Sequence, residues 1–132
     1  MPLLLLLLFA VVPWVAWRYA RTHTPRYVWL VTGAAIGLVV SPLSLGLYAT
    51  YFAGPFGLPT GMLGLMSTLF HGAPGFHAAR WLGLIPSNEI VSGVGSVYIE
   101  VLNGILWATV YGSLGLAVDC VRRVRSRAAH AP

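Results

Sequence analysis

The chain has no lysine, a single cysteine and only three acidic residues, and just 8% of its 132 residues are charged. Each shortage excludes something. A soluble domain of this size carries about a quarter charged residues, so a water-facing globule lacks the polar surface to cover itself. One cysteine, Cys120, excludes an internal disulfide and a dithiol redox pair. With so few carboxylates, clustered acid–base machinery is scarce. No phosphate-binding loop, dinucleotide fingerprint or Walker motif occurs. The net charge of +5 comes from arginine alone. Those arginines flank apolar runs and form no basic face interleaved with stacking aromatics, which argues against nucleic acid as a partner.

What the chain does have is apolar length. It is 58% hydrophobic, with mean hydropathy +0.79, and the lipid bilayer is the expected solvent. No alternating ten-residue barrel pattern is present, so spanning segments are expected to be helices, which satisfy their backbone internally. The expected fold is an all-α integral membrane protein forming a single membrane domain over 1–132. Three transmembrane helices are expected, at about 3–20, 27–52 and 97–121, with a helical hairpin over 53–89 and a basic tail over 122–132.

The first apolar run resembles a secretory signal in length. It has no basic n-region, however, and it ends in Trp14, Trp17, Arg18 and Tyr19 rather than a small-residue cleavage site. It is read as a first span. In the second span Ser41-Pro42 predicts a kink. Gly33, Gly37 and Ser41 recur every four residues, a small-residue stripe that permits close helix contact.

The connection 53–89 is broken by glycine and proline yet stays apolar between them. Thr60 to His71 predicts a short helix, Gly72-Ala73-Pro74-Gly75 a turn, and Phe76 to Leu84 a second short helix. The pair is a hairpin, either interfacial or re-entrant. Ser87, with Glu89 in the following turn, predicts the start of the last helix, and Ser92 to Ser96 predicts a weak point before the last span.

Seven of the eight arginines lie in 18–26 or in the tail, and only Arg80 lies in the long connection. The positive-inside bias therefore puts the N-terminus outside, the tail in the cytoplasm and residues 53–89 outside. Absent lysine beside abundant alanine, glycine and arginine suggests a GC-rich bacterial genome, hence an inner membrane.

Candidate sites follow from polar residues in apolar surroundings. On the last span Ser96, Glu100, Asn103, Trp107 and Tyr111 share one face, beside a small stripe of Gly104, Ala108 and Gly112. A carboxylate on a membrane helix is a functional candidate because its burial is costly. At 1.5 Å per residue Glu100 lies about 33 Å from Arg122, near the outer interface, where it can reach water or pair with Arg80. Asp119 is expected to pair with Arg122 or Arg123 at i+3 and i+4. His71 and His77, near Met62 and Met66, offer imidazole and thioether ligands of a kind that suits copper, at a spacing that matches no strong metal motif. Ser67 and His71 at i and i+4 resemble a nucleophile–base pair without an oriented acid. No cofactor is implied.

Three functions are weighed. The first is an accessory or assembly subunit of a larger membrane complex, because three helices cannot bury both small-residue stripes and the Asn103–Trp107–Tyr111 face among themselves. The alternative is a homo-oligomeric channel or small-solute carrier using the hairpin and Glu100. The third is a metal-handling protein or enzyme at the outer interface. The expected partners are the bilayer and other membrane subunits or copies of the chain.

Overall fold

The computed structural model describes residues 2–49, 57–86 and 94–129. Among them the chain is all-helical, with no strand. Four helices occur in order: α1 (Pro2–His23), α2 (Val28–Ala49), α3 (Gly57–Trp81) and α4 (Val94–Ala128), with a single 3-10 turn at Pro25–Tyr27 between the first two. Two of them, α2 and α4, are long and apolar enough to cross a membrane. The proposed start at Ser87 and Glu89 lies outside the described residues, as does the first part of the weak point at 92–96.

The helix bounds have local causes. Arg21 and His23 occupy the last turn of α1, where cations oppose the negative end of the helix dipole. Pro25 opens the 3-10 turn, at a position where its missing N–H costs nothing. α2 is assigned unbroken through Pro42. α4 runs 35 residues, about 52 Å at 1.5 Å per residue, so it carries its arginines well past the expected end of the span at Val121.

The largest departure from the sequence reading lies in α3. The expected turn at Gly72–Gly75 is helical, and one helix replaces two short arms over the described part of the connection. Its cause is tertiary. Pro74 lacks a donor, and the Gly75 N–H is taken by Asn103 Oδ1 at 2.6 Å. The His71 carbonyl, one turn earlier, accepts from Trp107 Nε1 at 2.8 Å. Side chains of α4 thus serve the backbone groups that a proline disturbs, and the helix continues. The actual stop comes at Gly83, whose φ is +69°. There Leu84 N donates to Ala79 O and Gly83 N to Arg80 O, the bonding pattern of a glycine C-cap.

α2 is the central element and packs against α1, α3 and α4; α3 also packs against α4. α2 and α4 run antiparallel, with Trp29 beside Gly115, Gly33 beside Tyr111 and Gly37 beside Trp107. A Cβ at Gly33, Gly37 or Gly115 would collide with the facing backbone, so these positions admit glycine alone. α3 meets the C-terminal part of α2 through Gly64 against Leu47 and Tyr48 and Ser67 against Ser44.

The interior is built of small side chains, polar and apolar, whereas the exterior is large and apolar. The largest fully buried side chains are Asn103 and Ser44, and the buried hydrophobic residues are Ala20, Val28, Ala35, Val39, Ala79 and Ile85. Met62, Leu63, Met66, Leu69 and Phe70 are all more than half exposed on α3, as are Val97, Val101, Ile105 and Leu114 on α4.

Candidate functional site

The polar side chains converge on a seam where α2, α3 and α4 meet. Its backbone is the α4 face carrying Glu100, Asn103, Trp107 and Tyr111. At one end Ser41 Oγ donates to Glu100 Oε2 at 2.8 Å. Ser41 is buried and Glu100 half-buried, so the carboxylate is tied to α2. Arg80, its expected partner, holds its guanidinium 4.6 Å from the Phe76 ring centre.

In the middle, four side chains join three helices. Ser44 Oγ lies 2.6 Å from Ser67 Oγ, and Ser67 Oγ lies 3.2 Å from His71 Nδ1. His71 Nε2 lies 3.1 Å from Tyr111 OH. The direction of these bonds can be worked out. His71 Nδ1 is 3.0 Å from the Ser67 carbonyl, which can only accept, so Nδ1 carries the proton. On a singly protonated ring, Nε2 then accepts from the Tyr111 hydroxyl. Ser44 donates to Val40 O at 2.6 Å, so it receives the Ser67 proton. In this order Ser67 gives its proton away from His71, the opposite of what a nucleophile needs from its base.

The aromatic rings complete the wall. His71 packs edge-on to Trp107 at 4.7 Å, and Trp107 lies 5.6 Å from Tyr111. Asn103 is fully buried. Its Oδ1 serves Gly75, while its Nδ2 has no partner among the described residues; the same holds for Thr68 Oγ1. Thr68 lies on a groove of about 440 Å³ that also takes in Leu45, Phe76, His77, Ser96 and Glu100.

The metal candidates separate. His71 faces the seam, His77 is exposed, and Met62 and Met66 are exposed on the outer side of α3. Among the described residues no group of three or more His, Cys, Asp or Glu is placed to hold a metal ion. The packing candidates sit together: Gly33, Gly37 and Ser41 face α4, while Gly104 lies against Leu38 and Gly112 against Leu30 and Ala34. Ala108 is at the same contact, its amide beside Gly37.

At the opposite end Asp119 behaves unlike its sequence expectation. It is buried at 5% exposure, and its Oδ2 accepts from the backbone amides of Trp29 and Leu30, each at 3.0 Å. Instead of pairing along its own helix with Arg122 or Arg123, the carboxylate caps the start of α2. Arg123 turns its Nε to the Asp119 carbonyl at 3.2 Å and sits 5.4 Å from the Tyr27 ring centre.

Sequence reasoning passed over Ser44 and Gly115. Ser44 extends the Gly33–Gly37–Ser41 stripe by three residues, a signal that was available. On α3, Gly75 was read as part of a turn, although it and Gly64 both serve close approach. Compared with known protein families, with curated proteins and with solved structures, the chain matches none.

Proposed function

We propose that the chain is a small multi-pass membrane protein that serves as an accessory or assembly subunit of a larger membrane complex. The observation that carries this reading is the inverted distribution of side chains. Small and polar groups lie inside, and a wall of large apolar residues lies outside on all the helices. In water an apolar surface of that extent is untenable for a monomer; against lipid or partner helices it is the favoured surface. Ser41, Ser44, Ser67, His71, Asn103, Tyr111 and Asp119 are engaged in bracing one helix against another. Their chemistry is directed to architecture.

In this reading α1, α2 and α4 span the bilayer, the N-terminus is outside and the C-terminus is cytoplasmic, following the arginines. α3 does not cross. Gly64 and Ser67 meet α2 at Ser44 to Tyr48, and the backbone at Gly75 and His71 meets α4 at Ile99 to Trp107, which supports packing in the outer half. The setting is a bacterial inner membrane.

Native mass spectrometry of the protein, extracted gently through a C-terminal tag, tests the function. Unrelated chains co-purifying at fixed stoichiometry are the expected result. A protein that runs alone, as a monomer or as a closed ring of identical copies, would overturn the subunit reading.

A second reading, a homo-oligomeric carrier of small solutes or ions, is favoured by one feature. The groove beside Glu100 has His77, Ser96 and Thr68 in a lining that is otherwise largely apolar, so polar side chains reach one opening on the outer wall. If solute passes there, Glu100→Gln lowers flux into proteoliposomes at least several-fold. Unchanged flux removes Glu100 from any such path.

A further inference from the structure

The arginine end holds a second recess that the seam does not use. α1, the 3-10 turn, the start of α2 and the end of α4 enclose a groove of about 670 Å³, within the roughly 300–1,000 Å³ range of small-ligand clefts. Arg21, Arg26, Arg122 and Arg123 line it, together with Trp17 and Trp29. One carboxylate, Asp119, shares the lining, and its Oδ2 already accepts two backbone amides. Four cations thus face a single engaged anion. Arg21 holds its guanidinium 4.7 Å from the centre of the Trp17 ring, and both residues line the groove.

We propose that this groove binds the phosphate of an anionic phospholipid headgroup. Guanidinium forks from separate helices suit a phosphate oxygen set. The tryptophans match the amphipathic rings that settle at headgroup depth, and basic pockets between membrane helices on the cytoplasmic side recognise acidic lipids. A bound lipid would tie α1 to α4, two helices whose direct contact is slight. The inference rests on the membrane reading above.

The test uses the whole chain reconstituted into phosphatidylcholine vesicles with and without phosphatidylglycerol, followed by native mass spectrometry of the lipids retained. Wild type floats with both vesicle types and keeps phosphatidylglycerol in preference to phosphatidylcholine. Arg21→Gln with Arg122→Gln weakens that retention about 10- to 30-fold, from about fivefold per arginine near an anionic headgroup. Arg125→Gln with Arg127→Gln, which removes the same charge outside the groove, changes it by no more than about twofold. Equal losses in the two pairs would mean diffuse attraction to an acidic surface and overturn the site. Displacement of the lipid by an equal concentration of inorganic phosphate would make it a site for soluble phosphate, also against the proposal. Flotation without anionic preference rejects the groove alone; failure to float with neutral vesicles rejects the membrane reading and the groove with it.

Discussion

Asp119 shows why a residue's spacing along its own helix can mislead. The i+3 and i+4 arginines supply a sufficient partner on paper, yet an exposed helical ion pair is worth only about 0.3–0.5 kcal/mol. The first amides of α2 offer more, because the open N–H groups of a helix start favour an acceptor that carries negative charge. Nothing local in the sequence announces that Trp29 and Leu30 pass beside residue 119. The two roles can be separated by substitution. Asp119→Ala leaves two part-buried amides without their acceptor and should destabilise the protein by about 1–3 kcal/mol, read as thermal unfolding in detergent by circular dichroism. Asp119→Asn keeps an oxygen in place and should recover most of that loss. If asparagine is as damaging as alanine, the carboxylate acts through its charge on the arginines, and the capping account is wrong.

At the scale of the helices, legibility divides between composition and context. The apolar lengths of α2 and α4 could be read directly, and so could the stripe of Gly33, Gly37 and Ser41, since a four-residue recurrence of small residues already implies a face. The continuity of α3 could not. Glycine and proline report local preference, and at Gly72–Gly75 that preference is overruled by Asn103 and Trp107 from a helix some thirty residues further on. The stop signal at Gly83 is itself local and was legible as a helix-terminating glycine, but the earlier cluster masked it. The seam between α2 and α4 gives a sharp expectation. Gly37→Ala drives a methyl into the backbone of Trp107 and Ala108 and should cost about 1–3 kcal/mol by overpacking. Gly46→Ala, in the same helix with nothing within 4 Å of the new methyl, should be neutral or stabilising by up to about 1 kcal/mol. Thermal unfolding of the two variants side by side measures the difference. Equal behaviour would mean that α2 and α4 do not approach closely at Gly37.

For the whole molecule, the proposed topology makes two statements, one on the direction of the helices and one on α3. Arginine placement supports a cytoplasmic end built from the α1–α2 connection and the tail of α4. The contacts of α3 support its staying in the other half. Cys120 makes both statements measurable, because it is the only cysteine and is exposed one turn from the arginine groove. A maleimide that cannot cross membranes should label Cys120 in inverted vesicles and leave it untouched in intact cells. In a Cys120→Ser background, Leu84→Cys places a thiol at an exposed position just after α3. If α3 returns to the side from which it entered, that thiol labels in intact cells and not in inverted vesicles. Were α3 a fourth span, residue 84 would emerge with the arginines and label from the cytoplasmic side. The N-terminus of α4 would then start on the same side as its C-terminus, which a single straight helix of 35 residues cannot satisfy while crossing. The antiparallel packing of α2 on α4 therefore requires the outside answer for residue 84 whenever Cys120 is inside, and labelling of both thiols from one side would break the three-span reading at its root.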